Sequence, residues 1–258
     1  MAALGTAGAL LLLLAPVVGI LWRAPWRGIG AALGEPGTTA ALRVSLVGAL
    51  AATALALLLG MPLAVVAVRG PRRLRGPLAV AALLPLALPP VVTGIGLLAA
   101  LGRRGVFGDA LESIGVTLPF TLTGVVVAQT VVALPFVVAA VAGGVGGLDP
   151  AAEDAARIHG VSEPLLFAKV TLPALRPVIV AGAALGFARC LGEFGATITF
   201  AGSLGGRTET LPTVAYSALQ DDPVQAYALA VLLLAVAAAA IAALRHSLLH
   251  GIRVLGSR

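Results

Sequence analysis

The chain of 258 residues is 59% hydrophobic and only 11% charged, with a mean hydropathy of +1.05 and a formal net charge of +6. Such a composition excludes a water-soluble globular domain and predicts an all-α integral membrane protein. The length suffices for about six spans of roughly 20 residues with short connections, in one bundle and without a second folded domain. The single cysteine, Cys190, lies in an apolar run, which excludes a disulfide framework and a cysteine metal site and reads as a small packing residue.

Backbone in lipid must satisfy its own hydrogen bonds, and a lone charge at the centre of a span costs about 3 kcal/mol on insertion scales, so charge-free runs mark the spans. The first is predicted over 3–22; no Lys or Arg precedes it, which favours a retained helix over a secretory signal. The second covers 44–68. The third, 78–101, carries Pro85, Pro89 and Pro90, each of which removes a backbone donor, so a kinked or interrupted helix is expected. The run 113–148 is too long for one helix and divides into an approach segment and a span over 120–141, closed by Gly143, Gly144, Gly146 and Gly147. The fifth span, 174–199, passes through Arg189 and Glu193; the sixth, 223–244, is almost entirely Ala, Val and Leu.

With both termini in the cytoplasm, ten Lys and Arg residues fall on the inner side, the Arg69, Arg72, Arg73 and Arg75 cluster among them, and six on the outer. Arg23 and Arg27 alone argue the other way. This orientation puts the loop 149–172 in the cytoplasm. Asp149 before Pro150 is an N-cap followed by proline at the first helical position, with Glu153 and Asp154 in the first turn. Ala155 and Ala156 leave a smooth surface, Gly160 permits a sharp exit, and Ser162 is placed to cap a second short helix. The residues by themselves leave open whether this knob packs under the bundle or meets a partner.

Asp154-Ala155-Ala156, three residues, Gly160, nine residues and Val170-Thr171-Leu172-Pro173 together resemble the E-A-A, x3, G, x9, I-x-L-P signature of permease subunits of binding-protein-dependent ABC importers. Asp154 and Val170 are mild departures from that pattern. The resemblance implies a six-helix type I importer permease bundle in the cytoplasmic (inner) membrane, with Glu153, Asp154, Ala155, Ala156, Gly160, Leu172 and Pro173 forming a coupling loop that docks on an ATPase. The implied partners are two ABC ATPase subunits, an extracytoplasmic oxyanion-binding protein, a second copy of the chain and the lipid bilayer, with no nucleic acid. The only lysine is Lys169, preceded by alanine, so a P-loop is absent. No cofactor is expected on this chain, and ATP and Mg belong to the ATPase. His246 and His250, four apart, sit in an arginine-rich tail (Arg245, Arg253, Arg258) and read as a headgroup-facing helix end, not a metal site.

Arg189 and Glu193 are four apart, so on one helix they share a face and can partly neutralise each other. Two readings stand: a salt bridge that fixes helix packing, or a gate on an anion path. The segments 191–202 (LGEFGATITFAG), 86–94, 102–105, 117–121 and 208–212 resemble molybdate/tungstate permeases, and sulfate permeases less completely. That resemblance implies import of a tetrahedral oxyanion by alternating access, with Thr93, Gly94, Thr197 and Thr199 as candidates for a path of hydroxyls and backbone groups. A sulfate or thiosulfate permease is the nearest alternative. A proton-coupled carrier using Glu193 leaves the knob without a role, and an intramembrane enzyme lacks a suitable cluster.

Overall fold

The computed structural model describes residues 2–256, except for the side chains of residues 2, 3, 241 and 243–256. The side chains of Arg245, His246, His250 and Arg253, and the whole of Arg258, therefore lie outside what is described. In chain order the elements are α1 (Ala2–Arg23), α2 (Ile29–Gly34), α3 (Pro36–Arg69), α4 (Arg72–Ala87), α5 (Pro90–Leu101), α6 (Gly108–Ser113), α7 (Leu122–Gly146), α8 (Pro150–Ile158), α9 (Glu163–Leu166), a π turn (Phe167–Thr171), α10 (Leu172–Leu191), α11 (Gly195–Ala201), α12 (Leu211–Asp221) and α13 (Pro223–Gly256). Among the described residues five helical segments are long and apolar enough to cross a membrane, six if the bent α4–α5 pair is one span.

The bundle is built on α3, α7 and α10. Along α3 the buried positions are small (Ala41, Ser45, Ala49, Ala52, Ala56, Gly60, Ala64) and recur every three or four residues, which brings neighbouring backbones close. A Cβ on Gly60 would stand 3.1 Å from Val137 of α7, and one on Gly182 of α10 would stand 3.0 Å from Ala140. Cys190 packs in this core as expected, fully buried and directed at the Gln129 carbonyl at 3.4 Å. At 34 residues α3 is about 51 Å long, well beyond a hydrocarbon core of about 30 Å, so at least one of its ends extends past an apolar layer of that thickness. By contrast α1 is exposed along its span and packs chiefly on α13.

Two predicted spans are interrupted. The third is two helices bent by 116°, because Pro89 and Pro90 supply no amide and Leu88 is extended. The fifth departs from the expected single helix: α10 ends at Leu191, Gly192 to Phe194 are non-helical, and α11 restarts at Gly195. Ser162 precedes α9 but makes no side-chain capping bond, so that expected cap is absent. The two breaks pack on each other. A Cβ on Gly195 would lie 2.9 Å from Pro90 Cβ, and one on Gly94 would lie 2.6 Å from Thr199 Cβ and 3.0 Å from the Ala196 carbonyl.

Gly94→Ala is therefore expected to overpack the α5–α11 contact, at about 1–3 kcal/mol. Thermal unfolding of the purified protein in detergent should show a lower midpoint for Gly94→Ala, while Gly96→Ala, whose Cβ meets nothing within 4 Å, matches the parent. Equal midpoints for the two variants would contradict the tight crossing.

Candidate functional site

At one end of the bundle the chain leaves α7 at Gly147 and forms α8. The Asp149 carboxylate accepts the Ala151 amide at 3.0 Å and Pro150 occupies the first turn, as the sequence requires of a helix start. The end of α8 is a Schellman turn: Gly160 N–H donates to the Arg157 carbonyl, Val161 N–H to the Ala156 carbonyl, and Gly160 holds φ +74° with open space around its Cα. Glycine is needed here for its backbone conformation and not for closeness to a neighbour.

The adjacent acids Glu153 and Asp154 point in different directions. Glu153 is 5% exposed. Its carboxylate accepts from Arg69 Nη1 at 2.9 and 3.0 Å and from the Thr171 hydroxyl at 2.7 Å, with Arg157 Nη2 at 3.7 Å. Asp154 faces outward and accepts from Arg157 Nη1 at 3.0 Å; Arg157 Nε donates to Glu163 at 2.8 Å. Burial pushes the Glu153 pKa up, but the Thr171 hydroxyl and the Arg69 and Arg157 cations outweigh it and hold the group below its ordinary 4.5. The Glu163 carboxyl is likewise lowered, by its hydrogen bond from Arg157.

The outward surface of α8 carries Asp154, Ala155 and Ile158, the last 84% exposed, and Ala156 is half-buried behind them. Leu172 is half-buried and Pro173 exposed at the start of α10. In the sequence Arg69 has a place only in the inner-side charge cluster and Thr171 only within the signature, neither as a partner of Glu153, and Ile158 is not among the candidates. Ile158 has a visible signal, an apolar side chain beside alanines on a polar helix. For the Arg69–Glu153 contact, between residues 84 apart, the sequence carries none.

The second candidate region is the pair of helix breaks. Arg189 Nη2 lies 2.7 Å from Glu193 Oε2, while Glu193 Oε1 accepts the Ala196 amide at 2.8 Å. The ion pair forms although Glu193 lies beyond α10, in the break, and not on one helix with Arg189. Glu193 is 1% exposed and accepts the Ala196 amide in the first turn of α11. Arg189 remains one-third exposed and lines a cavity of about 320 Å³ with Pro85, Leu88, Pro90, Thr93 and Phe136. Of the four path candidates only Thr93 reaches that cavity. Gly94 and Thr199 pack helix on helix, the Thr199 hydroxyl donates to the Gly195 carbonyl at 2.7 Å, and Thr197 is fully buried, its hydroxyl unpartnered among the described residues. At the opposite end from α8, Arg43 and Arg207 line a further cavity of about 250 Å³.

Residues 56–248 match the family described as the inner membrane component of binding-protein-dependent transport systems. The molybdenum transport system permease protein ModB of Mycobacterium tuberculosis is 44% identical over 223 residues, covering 86% of this chain and 84% of that protein. ModB of Escherichia coli K12 is 44% identical over 138 residues, 53% of this chain and 60% of its own length. The sulfate transport system permease protein CysT of Escherichia coli K12 is 35% identical over 214 residues, 82% and 76%. The fold is that of a bacterial ABC transporter that imports alginate, with a TM-score of 0.71 at 17% identity, covering 97% of this chain and 93% of that one.

A depressed carboxyl pKa contributes stability above the unfolded value and loses it as pH falls through the folded one. The docking of α8 should therefore withstand acidification from pH 7 to about 4.5 and loosen only below it. Amide hydrogen exchange across α8, measured over that range, checks this; faster exchange already near pH 6 would contradict it.

Proposed function

Because the chain belongs to the inner membrane components of binding-protein-dependent transport systems, we propose that it is the permease subunit of an ATP-driven oxyanion importer, with molybdate as principal substrate and tungstate as its close chemical analogue. The observation that carries the substrate is the 44% identity to a molybdenum permease along most of both chains. The coupling role is supported by α8, which keeps the signature spacing and presents Asp154, Ala155 and Ile158 outward from a helix anchored by Glu153.

In this reading α8 lies in the cytoplasm and seats in an ATPase subunit, with Ala156 and Gly160 shaping the knob and Leu172 and Pro173 joining it to α10. Two copies of the chain pair with two ATPases, which bind ATP and Mg, since the chain carries a single lysine and no P-loop. An extracytoplasmic binding protein delivers the anion to the outer mouth, where Arg43 and Arg207 make the potential favourable to it. Further in, Arg189 and Thr93 face the cavity beside the broken α4–α5 span. The charge of Arg189 is already balanced by Glu193, which gives a site that attracts an anion weakly enough to release it.

Import of sulfate is the second reading, favoured by the 35% identity to CysT over 214 residues. Uptake of radiolabelled molybdate by cells carrying the chain, its ATPase and its binding protein distinguishes the two: tungstate should compete and sulfate should not. Uptake that persists without the ATPase and collapses with the proton gradient would point to a carrier instead.

For coupling, Gly160→Val forces a side chain into the left-handed region, at about 1–2 kcal/mol. Membrane insertion should be normal and ATP-driven uptake reduced at least tenfold, while Gly160→Asn, which tolerates that conformation, retains most of it. Parent-like uptake by Gly160→Val would remove the turn from the coupling mechanism.

A further inference from the structure

The chain between α8 and α10 is poorly suited to carry force. It turns through Gly160, whose surroundings are open, and stays non-helical at Val161 and Ser162 before a continuous helical run over Glu163–Leu191 that contains the π turn. A displacement of α8 that travelled along the backbone has to cross this non-helical hinge before it reaches the helix leading into the span.

A shorter connection exists. The Glu153 carboxylate holds Arg69, the last residue of α3, by two contacts of 2.9 and 3.0 Å, and holds Thr171, next to the first residue of α10, at 2.7 Å. Unlike the exposed Arg157–Asp154 and Arg157–Glu163 pairs, this carboxylate is almost entirely removed from water. Hydrogen bonds to a buried charge are short and directional, and parting Arg69 from Glu153 leaves only the longer 3.7 Å contact of Arg157 to compensate the charge. The contact therefore resists extension where the loop does not.

We propose that Glu153 is a positioning residue that joins α8 to the end of α3 and the start of α10 at once, so that movement imposed on α8 enters the bundle through this carboxylate rather than through the backbone of the loop. Asp154 then serves the outer surface and Glu153 the inner, a division that the shared acidic character of the two residues conceals. The inference rests on the coupling role given to α8 above.

The test uses the assembled transporter in proteoliposomes, with molybdate delivered by its binding protein, and reads molybdate imported per ATP hydrolysed. Glu153→Gln and Arg69→Gln should each lower this ratio at least fivefold while ATP hydrolysis stays within twofold of the parent. Arg72→Gln, which removes a neighbouring exposed charge with no partner among the described residues, should leave the ratio unchanged. The exchanged pair Arg69→Glu with Glu153→Arg should recover a substantial part of the coupling lost by either single change. Parent-like ratios in both single variants, or an exchanged pair no better than either, would overturn the proposal. Should the single variants fail to assemble, the exchanged pair decides alone: assembled and coupled supports it, assembled and uncoupled refutes it. Amide exchange of α8 in the isolated permease separates this question from the importer reading. Acceleration in both single variants, reversed in the exchanged pair, upholds the joint even if the parent imports no molybdate; unchanged exchange refutes it whatever the substrate.

Discussion

In hydrocarbon every backbone amide and carbonyl must find its partner within the protein, and the architecture depends on how two interrupted spans meet that demand. Around Leu88 the donors that would go unpaired are eliminated by having proline at 89 and 90. Around Gly192 to Phe194 there is no proline, and the Ala196 amide is instead taken by the Glu193 side chain. That solution brings a carboxylate to membrane depth, which in turn requires Arg189 beside it. The two breaks then cover one another, Gly195 against Pro90 and Gly94 against Thr199, and a cavity remains where the bent α4–α5 span departs from the bundle. Packing, charge and cavity are thus consequences of one requirement.

The part of this that could be read from the sequence is the part governed by local rules. Apolar run length located the long helices, the prolines announced the first break, and Asp149-Pro150 and Gly160 marked the start and end of α8. The second break was hidden because its devices, a glycine and a glutamate, also occur inside continuous helices, and Arg189 and Glu193 at a separation of four mimic a helical pair. Adjacent residues on a helix point about 100° apart, so Glu153 and Asp154 cannot both face inward, yet only the position of Arg69 decides which one does. The path candidates divide in the same way. Thr93 reaches the cavity beside Arg189, whereas Gly94 and Thr199 meet each other, a distinction set by the 116° bend and not by residue type.

Glu153 and Glu193 are the same arrangement used for different ends. Each is a buried carboxylate with one arginine within 3.0 Å and one further donor, the Thr171 hydroxyl in the first case and the Ala196 amide in the second. Removing both charges from such a pair costs little, but removing one leaves the other uncompensated, so these pairs restrict which geometries are allowed more than they add net stability. In the Glu193 pair the partners are four residues apart, and what it restricts is one joint, α10 to α11. The partners of Glu153 come from two other elements, and it restricts how α8, α3 and the start of α10 sit together.

The asymmetry around Glu153 bears on how such a joint behaves when strained. Arg157, on α8 itself, stands 3.7 Å from the same carboxylate. If Arg69 is drawn away, Arg157 can close on Glu153 and spare it the cost of a bare buried charge, but an ion pair internal to α8 no longer reaches α3. Charge compensation and mechanical connection therefore separate. The group that compensates the charge under strain belongs to α8 and moves with it, whereas the group that transmits movement, Arg69, belongs to α3. Loss of Arg69 thus leaves a folded, electrically balanced α8 with no ionic tie to α3, whereas loss of Glu153 removes the ties to Arg69 and Thr171 together. Two residues in one contact are then unequal in consequence: the arginine supplies one connection of the joint, and the glutamate is the point at which all of them meet.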